Sequence, residues 1–285
     1  MIYITECPRD AMQGIHAFIP SSEKVRYLQK LLAVGFPILD AGSFVSSKAI
    51  PQLADTSVVF DQLDLSSSTT KLLAIIANKR GAEEAANHEK VHYLGFPFSV
   101  SETFQQRNTH SSISESLGRV DEILEICSKS NKELLVYLSM AFGNPYGDAW
   151  SADMVAHWAT TLEMRGVKHL SLADTTGISN AESISNLFQT ILPTLSGSTL
   201  SAHLHTLPGD VSKKAEAAYN AGCFRFDTAI KGFGGCPMAS DTLTGNMATE
   251  ELVNWANNRS IETGLNTDAL LEAEQIASEI FNRYQ

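Results

Sequence analysis

Short apolar runs alternate with amphipathic stretches along almost the whole chain. Apolar runs bounded by turn residues are typical of buried strands, whereas apolar positions that recur every three or four residues are typical of helices with one buried face. The predicted strands lie near residues 2–5, 37–40, 72–77, 91–96, 134–139, 169–172, 199–203 and 224–227. The predicted helices include 22–34, 114–128, 151–164, 181–194 and 211–221, followed by 250–257 and 268–281. The pattern therefore predicts eight β/α repeats and two further helices.

Eight such repeats in 285 residues favour an α/β fold, namely a (β/α)8 TIM barrel with extra C-terminal helices. A doubly wound open sheet is the competing fold, but no glycine-rich dinucleotide fingerprint follows any predicted strand. No linker, tandem repeat or low-complexity tract interrupts the pattern. We therefore predict a single domain over residues 1–285, with the barrel to about residue 248 and C-terminal helices over about 249–285. Ser151 and Asn180 are expected to cap the helices that follow them.

Composition narrows the class of partner. The formal net charge of −11 argues against a surface that binds nucleic acid or an anionic membrane. A local basic pocket for an acidic substrate is still compatible with that charge. The N-terminal residues lack the basic flank and long apolar core of a signal peptide, and no apolar run approaches the roughly 20 residues of a membrane span. The four cysteines have neither zinc-site nor disulfide-framework spacing. These features predict a soluble protein of the cytoplasm.

Two histidines stand out near the end of a predicted strand. His203 and His205 are two residues apart, so on a strand their side chains leave the same face. Two imidazoles directed at one point are a common start for a divalent metal site. The pair alone is equally compatible with two hydrogen-bonded histidines at a strand end, and both interpretations stay open at this stage.

Polar residues follow most of the other predicted strands, at the points where the loops of a barrel carry chemistry. These residues fall in the segments 7–13, 40–44, 101–108, 143–146, 173–175 and 231–237. An acidic residue after a strand is often only a helix cap. Together with the strand end that carries the two histidines, these segments make seven loops that supply polar groups to one barrel face. Such convergence is a much stronger indication of an active site.

Several of these segments resemble hydroxymethylglutaryl-CoA lyase. The resemblance rests on Pro-Arg-Asp at 8–10 with Gln13, Ser-Phe-Val-Ser at 43–46, Ser-Leu-Ala-Asp-Thr at 171–175, His-Leu-His at 203–205, and the run from Gly232 through Glu250. It covers nearly the whole chain, and the Gly-Phe-Gly-Gly-Cys-Pro loop at 232–237 is its most specific part. The wider family comprises metal-dependent barrel lyases and acyl-CoA condensing enzymes that break or make a carbon–carbon bond beside a carbonyl.

The resemblance implies a divalent cation, Mg²⁺ or Mn²⁺, held by Asp10, His203, His205 and Asn246. Two imidazoles, a carboxylate and an amide oxygen form a mixed nitrogen and oxygen shell that suits these ions and leaves positions open for substrate. The structural alternatives are a helix N-cap for Asp10 and a turn former for Asn246.

The resemblance also implies roles around the metal. The implied catalytic residues are Arg9, Cys236 and Asp40, and the implied substrate-binding residues are Arg9, Gln13, Ser43, Asn108 and Asp174. Arg9 would hydrogen-bond the thioester oxygen as that oxygen gains charge, or serve in a structural ion pair. Cys236, in a glycine-rich run expected to close over the substrate, would donate a proton or exclude water, or simply pack as a small residue.

The chain departs from the family pattern at four positions near these groups. Thr5 replaces an acid, with Glu6 one place later, and Asp40 replaces a glutamate. Thr206 replaces the acid after the second histidine, and Leu135 replaces an arginine on the fifth strand. Adjacent strand residues face opposite ways, so Glu6 is an imperfect replacement for the missing acid.

The expected function is metal-dependent retro-aldol cleavage of 3-hydroxy-3-methylglutaryl-CoA to acetoacetate and acetyl-CoA. The alternatives are a related aldolase or acyl-CoA condensing enzyme with a different acid, and a non-catalytic metal-binding barrel. The expected partner is an acyl-CoA substrate rather than nucleic acid or membrane, and the expected assembly is a homodimer.

Overall fold

A computed structural model describes residues 1–235 and 245–285, and in it eight parallel strands close into a barrel. In barrel order the strands are β1 (Tyr3–Glu6), β2 (Ile38–Ser43), β3 (Lys71–Ile75), β4 (Val91–Ser99), β5 (Glu133–Ser139), β6 (His169–Ala173), β7 (Thr199–His203) and β9 (Arg225–Thr228). Closure is made by β1 and β9, with Tyr3 opposite Arg225 and Thr5 opposite Asp227. The predicted TIM barrel is therefore confirmed.

Helices surround the barrel. They are α1 (Pro8–Gln13), α2 (Ser21–Val34), α3 (Thr56–Gln62), α4 (Lys79–Ala86), α5 (Glu102–Thr109), α6 (Ile113–Ser130), α7 (Ala152–Met164), α8 (Ala181–Ile191), α9 (Val211–Asn220), α10 (Thr249–Asn257) and α11 (Thr267–Tyr284). Ser151 and Asn180 cap α7 and α8 through their side-chain oxygens, as predicted. The helices α1, α3, α4 and α5 were not predicted; each has no more than eight residues and so carries little periodic signal.

A second, two-stranded sheet lies at the mouth of the barrel. Here β8 (His205–Thr206) pairs antiparallel with β10 (Gly245–Asn246), so that His205 lies opposite Asn246. The strand β7 ends at His203 and the chain then changes sheet, so the two histidines lie on different strands. This small sheet brings a residue from far along the chain next to the two histidines.

The C-terminal helices pack on the outside of the barrel, as expected. Phe281 of α11 stacks on Phe233 with ring centroids 4.3 Å apart and meets Tyr27 of α2 edge to face at 6.1 Å. Because Phe233 follows β9, this stack ties α11 to the loop beside the barrel mouth. The division of the chain into a barrel and C-terminal helices of one domain stays a prediction.

Within the described residues, no helix combines the length and apolarity needed to cross a membrane.

Candidate active site

The polar groups at the carboxyl ends of the strands converge on one point. Asp10 lies in α1 directly after β1, while His203 ends β7 and His205 begins β8. One ligand atom from each of these three side chains lies within 4.8 Å of the others, and the two imidazole rings have centroids 5.5 Å apart. As their spacing predicts, both histidines face the same space.

Asn246 completes this group from β10. Its amide Nδ2 donates to Asp10 Oδ2 at 2.7 Å and to the Phe233 carbonyl at 2.9 Å. Because both partners are hydrogen-bond acceptors, they fix the orientation of the side-chain amide. The backbone of Gly234 lies against the same atoms at φ +90°, and an added Cβ would come within 2.8 Å of Asn246 Nδ2 and 2.7 Å of the Asp10 carbonyl. A glycine is therefore required here for the loop to approach the Asp10–Asn246 pair.

Arg9 joins two buried carboxylates beside this group. Its Nη1 donates to Asp10 Oδ1 at 2.9 Å and to Gln13 Oε1 at 2.8 Å, and its Nε and Nη2 donate to Asp40 at 3.0 and 2.5 Å. Gln13 returns a hydrogen bond to Asp10 at 2.7 Å. Four of the five N–H groups of the guanidinium are thus bound to described residues. Its charge and its orientation are both fixed before any substrate binds.

The two carboxylates that share Arg9 have different protonation behaviour. Burial alone would raise the pKa of Asp10, but Arg9 and the nearby histidines outweigh burial and lower that pKa. Burial dominates for Asp40 and raises its pKa to about 6 despite Arg9. Asp10 is therefore ionised at neutral pH, and Asp40 titrates close to neutrality.

Asp227, near the end of β9, faces His203 from inside the barrel. Its Oδ2 lies 3.4 Å from His203 Nδ1 and accepts a hydrogen bond from the Ser171 hydroxyl at 3.0 Å. Burial opposes protonation of His203, but Asp227 outweighs it and raises the pKa of that imidazole. Burial and the neighbouring His203 lower the pKa of His205 to about 4. Asp227 was not among the site residues predicted from the sequence. An acidic residue at an inward-facing position of a predicted strand would have indicated it.

These donors fit a divalent cation. The group offers the ionised carboxylate of Asp10, the neutral imidazole of His205 and the imidazole of His203. Asn246 adds an amide oxygen, since its nitrogen is the atom that donates to Asp10 and Phe233. A carboxylate on the far nitrogen of a ligating histidine, as Asp227 lies on His203, is a usual arrangement around protein-bound metals.

An open cleft of about 190 Å³ lies over this group. Its polar lining includes Arg9, Asp10, Gln13 and the two histidines. Its apolar lining includes Val45, Ile50, Ile75, Ala77, Pro97 and Phe104. Asn108, predicted to bind substrate, lines the same cleft together with Gln13.

Four described residues that were predicted to belong to the site do not line this cleft, and one of them is Asn246, which lies against Asp10 and Phe233. The Ser43 hydroxyl accepts from the Val45 N–H, 3.2 Å away, in the turn after β2. The buried Asp174 carboxylate is bound by Ser179 and Lys214. Asp40 lies behind Arg9 and acts on the cleft through it. Cys236 and Pro237 of the predicted closing run fall outside the described residues. The roles predicted for Cys236 and for closure of the run therefore stay predictions.

The replaced positions are explained by where their side chains point. Glu6 faces outward from the barrel and accepts hydrogen bonds from the Ile230 N–H at 2.8 Å and the Thr249 hydroxyl at 2.5 Å, so it does not stand in for the missing acid. Thr5 and Leu135 line one small cavity deeper in the barrel. The acid and the arginine of the family pattern are thus both absent from the same cavity. Thr206 donates to the Asn246 carbonyl at 3.2 Å and supports β10.

Fold and site together define a (β/α)8 barrel with a candidate divalent-metal centre at the carboxyl-terminal mouth and an arginine fixed beside it. The family model described as HMGL-like matches residues 2–277. The chain therefore belongs to the HMGL-like family.

Curated relatives and solved structures carry the same family name. The mitochondrial hydroxymethylglutaryl-CoA lyase of Mus musculus is 32% identical over 97% of this chain and 84% of its own length. The 3-hydroxy-3-isohexenylglutaryl-CoA/hydroxymethylglutaryl-CoA lyase of Pseudomonas aeruginosa is 32% identical over 94% of this chain and 88% of its own length. An HMG-CoA lyase from A. baumannii, solved with coenzyme A and 3-methylmalate, superposes with a TM-score of 0.91 at 29% identity, covering 99% of this chain and 92% of that one.

Proposed function

We propose that this protein is a metal-dependent carbon–carbon lyase that cleaves 3-hydroxy-3-methylglutaryl-CoA, or a close 3-alkyl analogue, to a 3-oxo acid and acetyl-CoA. The observation that carries the proposal is the fixed Arg9 guanidinium directly beside the Asp10, His203 and His205 group, in the lining of an open cleft. Retro-aldol cleavage needs these two elements side by side, because one end of the substrate loses a proton while the other gains negative charge.

The metal site is part of the proposal. Asp10, His203, His205 and the Asn246 amide oxygen would hold Mg²⁺ or Mn²⁺, since both ions accept mixed nitrogen and oxygen donors. When bound, the cation would lower the pKa of the substrate's tertiary hydroxyl and orient it.

The chain's own residues supply the rest of the reaction. The hydroxyl proton leaves, a carbonyl forms at C3 as the C2–C3 bond breaks, and the electron pair passes to the thioester fragment as an enolate. Arg9 has one N–H group beyond the four that bind described residues, and that group would donate to the enolate oxygen. The enolate then takes up a proton to give acetyl-CoA. Because Asp40 and Asp10 hold Arg9 from two sides, the donor needs no reorientation during the reaction.

Gln13 and Asn108 line the cleft and are proposed to bind the polar ends of the substrate. Ser43 and Asp174 lie outside the cleft lining, so their proposed contribution is to hold the loops that carry the site. Cys236 keeps the role that its resemblance implies, as a thiol that supplies the last proton or excludes water.

The cleft also bears on which substituents at C3 of the substrate the enzyme accepts. Part of the cleft lining is apolar, and one relative is named for cleaving both a methyl and an isohexenyl substrate. We propose that these apolar residues receive the C3 substituent. Related aldolase or condensing reactions with other acids are the alternative chemistry.

The proposal is tested with purified protein that has first been freed of metal. The protein is given 3-hydroxy-3-methylglutaryl-CoA with Mg²⁺, with Mn²⁺ or with chelator, and release of acetyl-CoA is followed. We expect turnover only with metal and none from His205→Ala. Analogues with longer C3 chains, and 2-oxo acids with acetyl-CoA, are compared in the same assay. Release of acetyl-CoA from none of the thioesters in the presence of metal would refute the proposed chemistry.

A cytoplasmic location and a homodimer complete the proposal. The described cysteines Cys7, Cys127 and Cys223 are free and buried, which suits a reducing compartment, although relatives with mitochondrial and with cytoplasmic names both match. Light scattering of the purified protein tests the dimer.

A further inference from the structure

A buried ion pair lies behind the two histidines. Lys214 of α9 and Asp174, which follows β6, are both almost completely buried, and the Lys214 Nζ lies 3.1 Å from Asp174 Oδ2. The same ammonium donates to the Ser179 hydroxyl at 3.0 Å and to the His205 carbonyl at 2.7 Å. All three N–H groups of the lysine are therefore used, and one of them reaches the backbone of a proposed metal ligand.

Asp174, the ion-pair partner of Lys214, is hydrogen-bonded to the other histidine, His203. The backbone N–H of Asp174 donates to the His203 carbonyl at 2.9 Å. Between the two histidines, the Leu204 carbonyl accepts from the Met247 N–H at 3.1 Å. Three successive carbonyls are thus bound, two by backbone amides and the third by the side chain of Lys214.

We propose that Asp174 and Lys214 form a clamp that positions His203 and His205 for metal binding. This inference rests on the proposed function, because it concerns the same metal. The clamp is needed because the chain changes sheet at Leu204, where the barrel ladder ends and leaves the His205 carbonyl without a strand partner from β6. Lys214 supplies the missing donor, and Asp174 neutralises its charge in the protein interior. Both are positioning residues, since neither lines the cleft.

The chain offers a matched control for the loss of a buried lysine. Lys24 is also fully buried, lies 2.6 Å from Asp55 and donates to the Gln52 carbonyl. This pair has the same chemistry as the clamp but has no contact with either histidine. Loss of Lys24 should therefore destabilise the protein without affecting the metal ligands.

The test compares Lys214→Met with Lys24→Met, measuring melting temperature and Mn²⁺ affinity by the EPR signal of the free ion. Lys214→Met should melt roughly 10 °C below the wild-type protein, because it leaves the buried Asp174 carboxylate without its partner. Lys24→Met should also melt lower, but by less, because Asp55 is partly exposed and keeps its hydrogen bond from Ser21. Only Lys214→Met should weaken Mn²⁺ binding, by about 10- to 100-fold, which is typical for loss of a group that orients a metal ligand.

A second variant separates positioning from stability. Asp174→Asn combined with Lys214→Met removes both buried charges, so the melting temperature should recover in part, whereas Mn²⁺ binding should stay weak because the His205 carbonyl still lacks its donor. Wild-type Mn²⁺ affinity in both Lys214 variants would overturn the clamp alone. Failure of the wild-type protein to bind Mn²⁺ would overturn the metal proposal, and the clamp with it.

Discussion

Glu6 gives the sharpest test of whether a buried acid beside the site serves the structure or the chemistry. Its carboxyl is fully buried on the outer side of β1, and burial raises its pKa from 4.5 to about 8, although hydrogen bonds from Thr249 and Ile230 offset part of that rise. The folded state therefore binds this proton more tightly than the unfolded chain does. Its contribution to stability is fully present below pH 4.5 and is lost as the pH rises through 8.

The size of this effect follows from the pKa shift. At about 1.4 kcal/mol per pH unit, the shift amounts to about 5 kcal/mol in total, of which about 2–3 kcal/mol falls between pH 6 and pH 9. Glu6→Gln carries no such proton. The difference in unfolding free energy between wild type and Glu6→Gln should therefore move by about 2–3 kcal/mol in favour of the variant over that range.

Urea unfolding at pH 6 and pH 9 measures this difference directly. Glu125→Gln is the control, because Lys129 lowers the pKa of the exposed Glu125 and that carboxylate is already ionised throughout the range. Equal pH dependence in wild type and Glu6→Gln would refute the reasoning. We also expect Glu6→Gln to keep its turnover, because the side chain points away from the cleft; loss of turnover with an intact fold would show that Glu6 does serve the missing acid's role.

The other predictions concern the site itself. His205→Ala should fold but lose Mn²⁺ binding in calorimetry, and unchanged affinity would contradict the four-ligand site. Arg9→Lys should lose turnover by roughly 10²–10³-fold with metal affinity nearly unchanged, since one charge-stabilising donor is removed, so near-normal turnover would make Arg9 structural. Gly234→Ala should weaken Mn²⁺ binding by displacing Asp10, whereas Gly147→Ala, at φ +77° in open space, should not; equal effects would mean that only backbone strain matters. Cys236→Ser should bind metal normally and lose most turnover, and full activity in kinetic assays would remove the thiol from the chemistry.

The sequence by itself determined the barrel and most of its chemistry. Strand and helix periods are local properties, so the β/α order could be read without knowing any contact. The spacing of His203 and His205 also predicted a common face, although in the structure a change of sheet at Leu204, and not a single strand, turns both imidazoles to one space. The motif around Arg9 and Asp10 could also be placed at a strand end, and parallel strands bring such ends together at one face.

Only the tertiary structure decided which polar residues reach the cleft. Whether a side chain is turned to the cleft or to the packing behind it depends on pairing between distant segments. Asp174 looked like a site residue, yet Lys214, on a helix that begins well beyond it in the chain, draws its carboxylate into the interior. Asp227 looked unremarkable until the register of β7 and β9 set it opposite His203. The replacements at Thr5 and Leu135 became compatible with a stable barrel once both proved to line one cavity, because removing both members of a buried pair is far less costly than removing one.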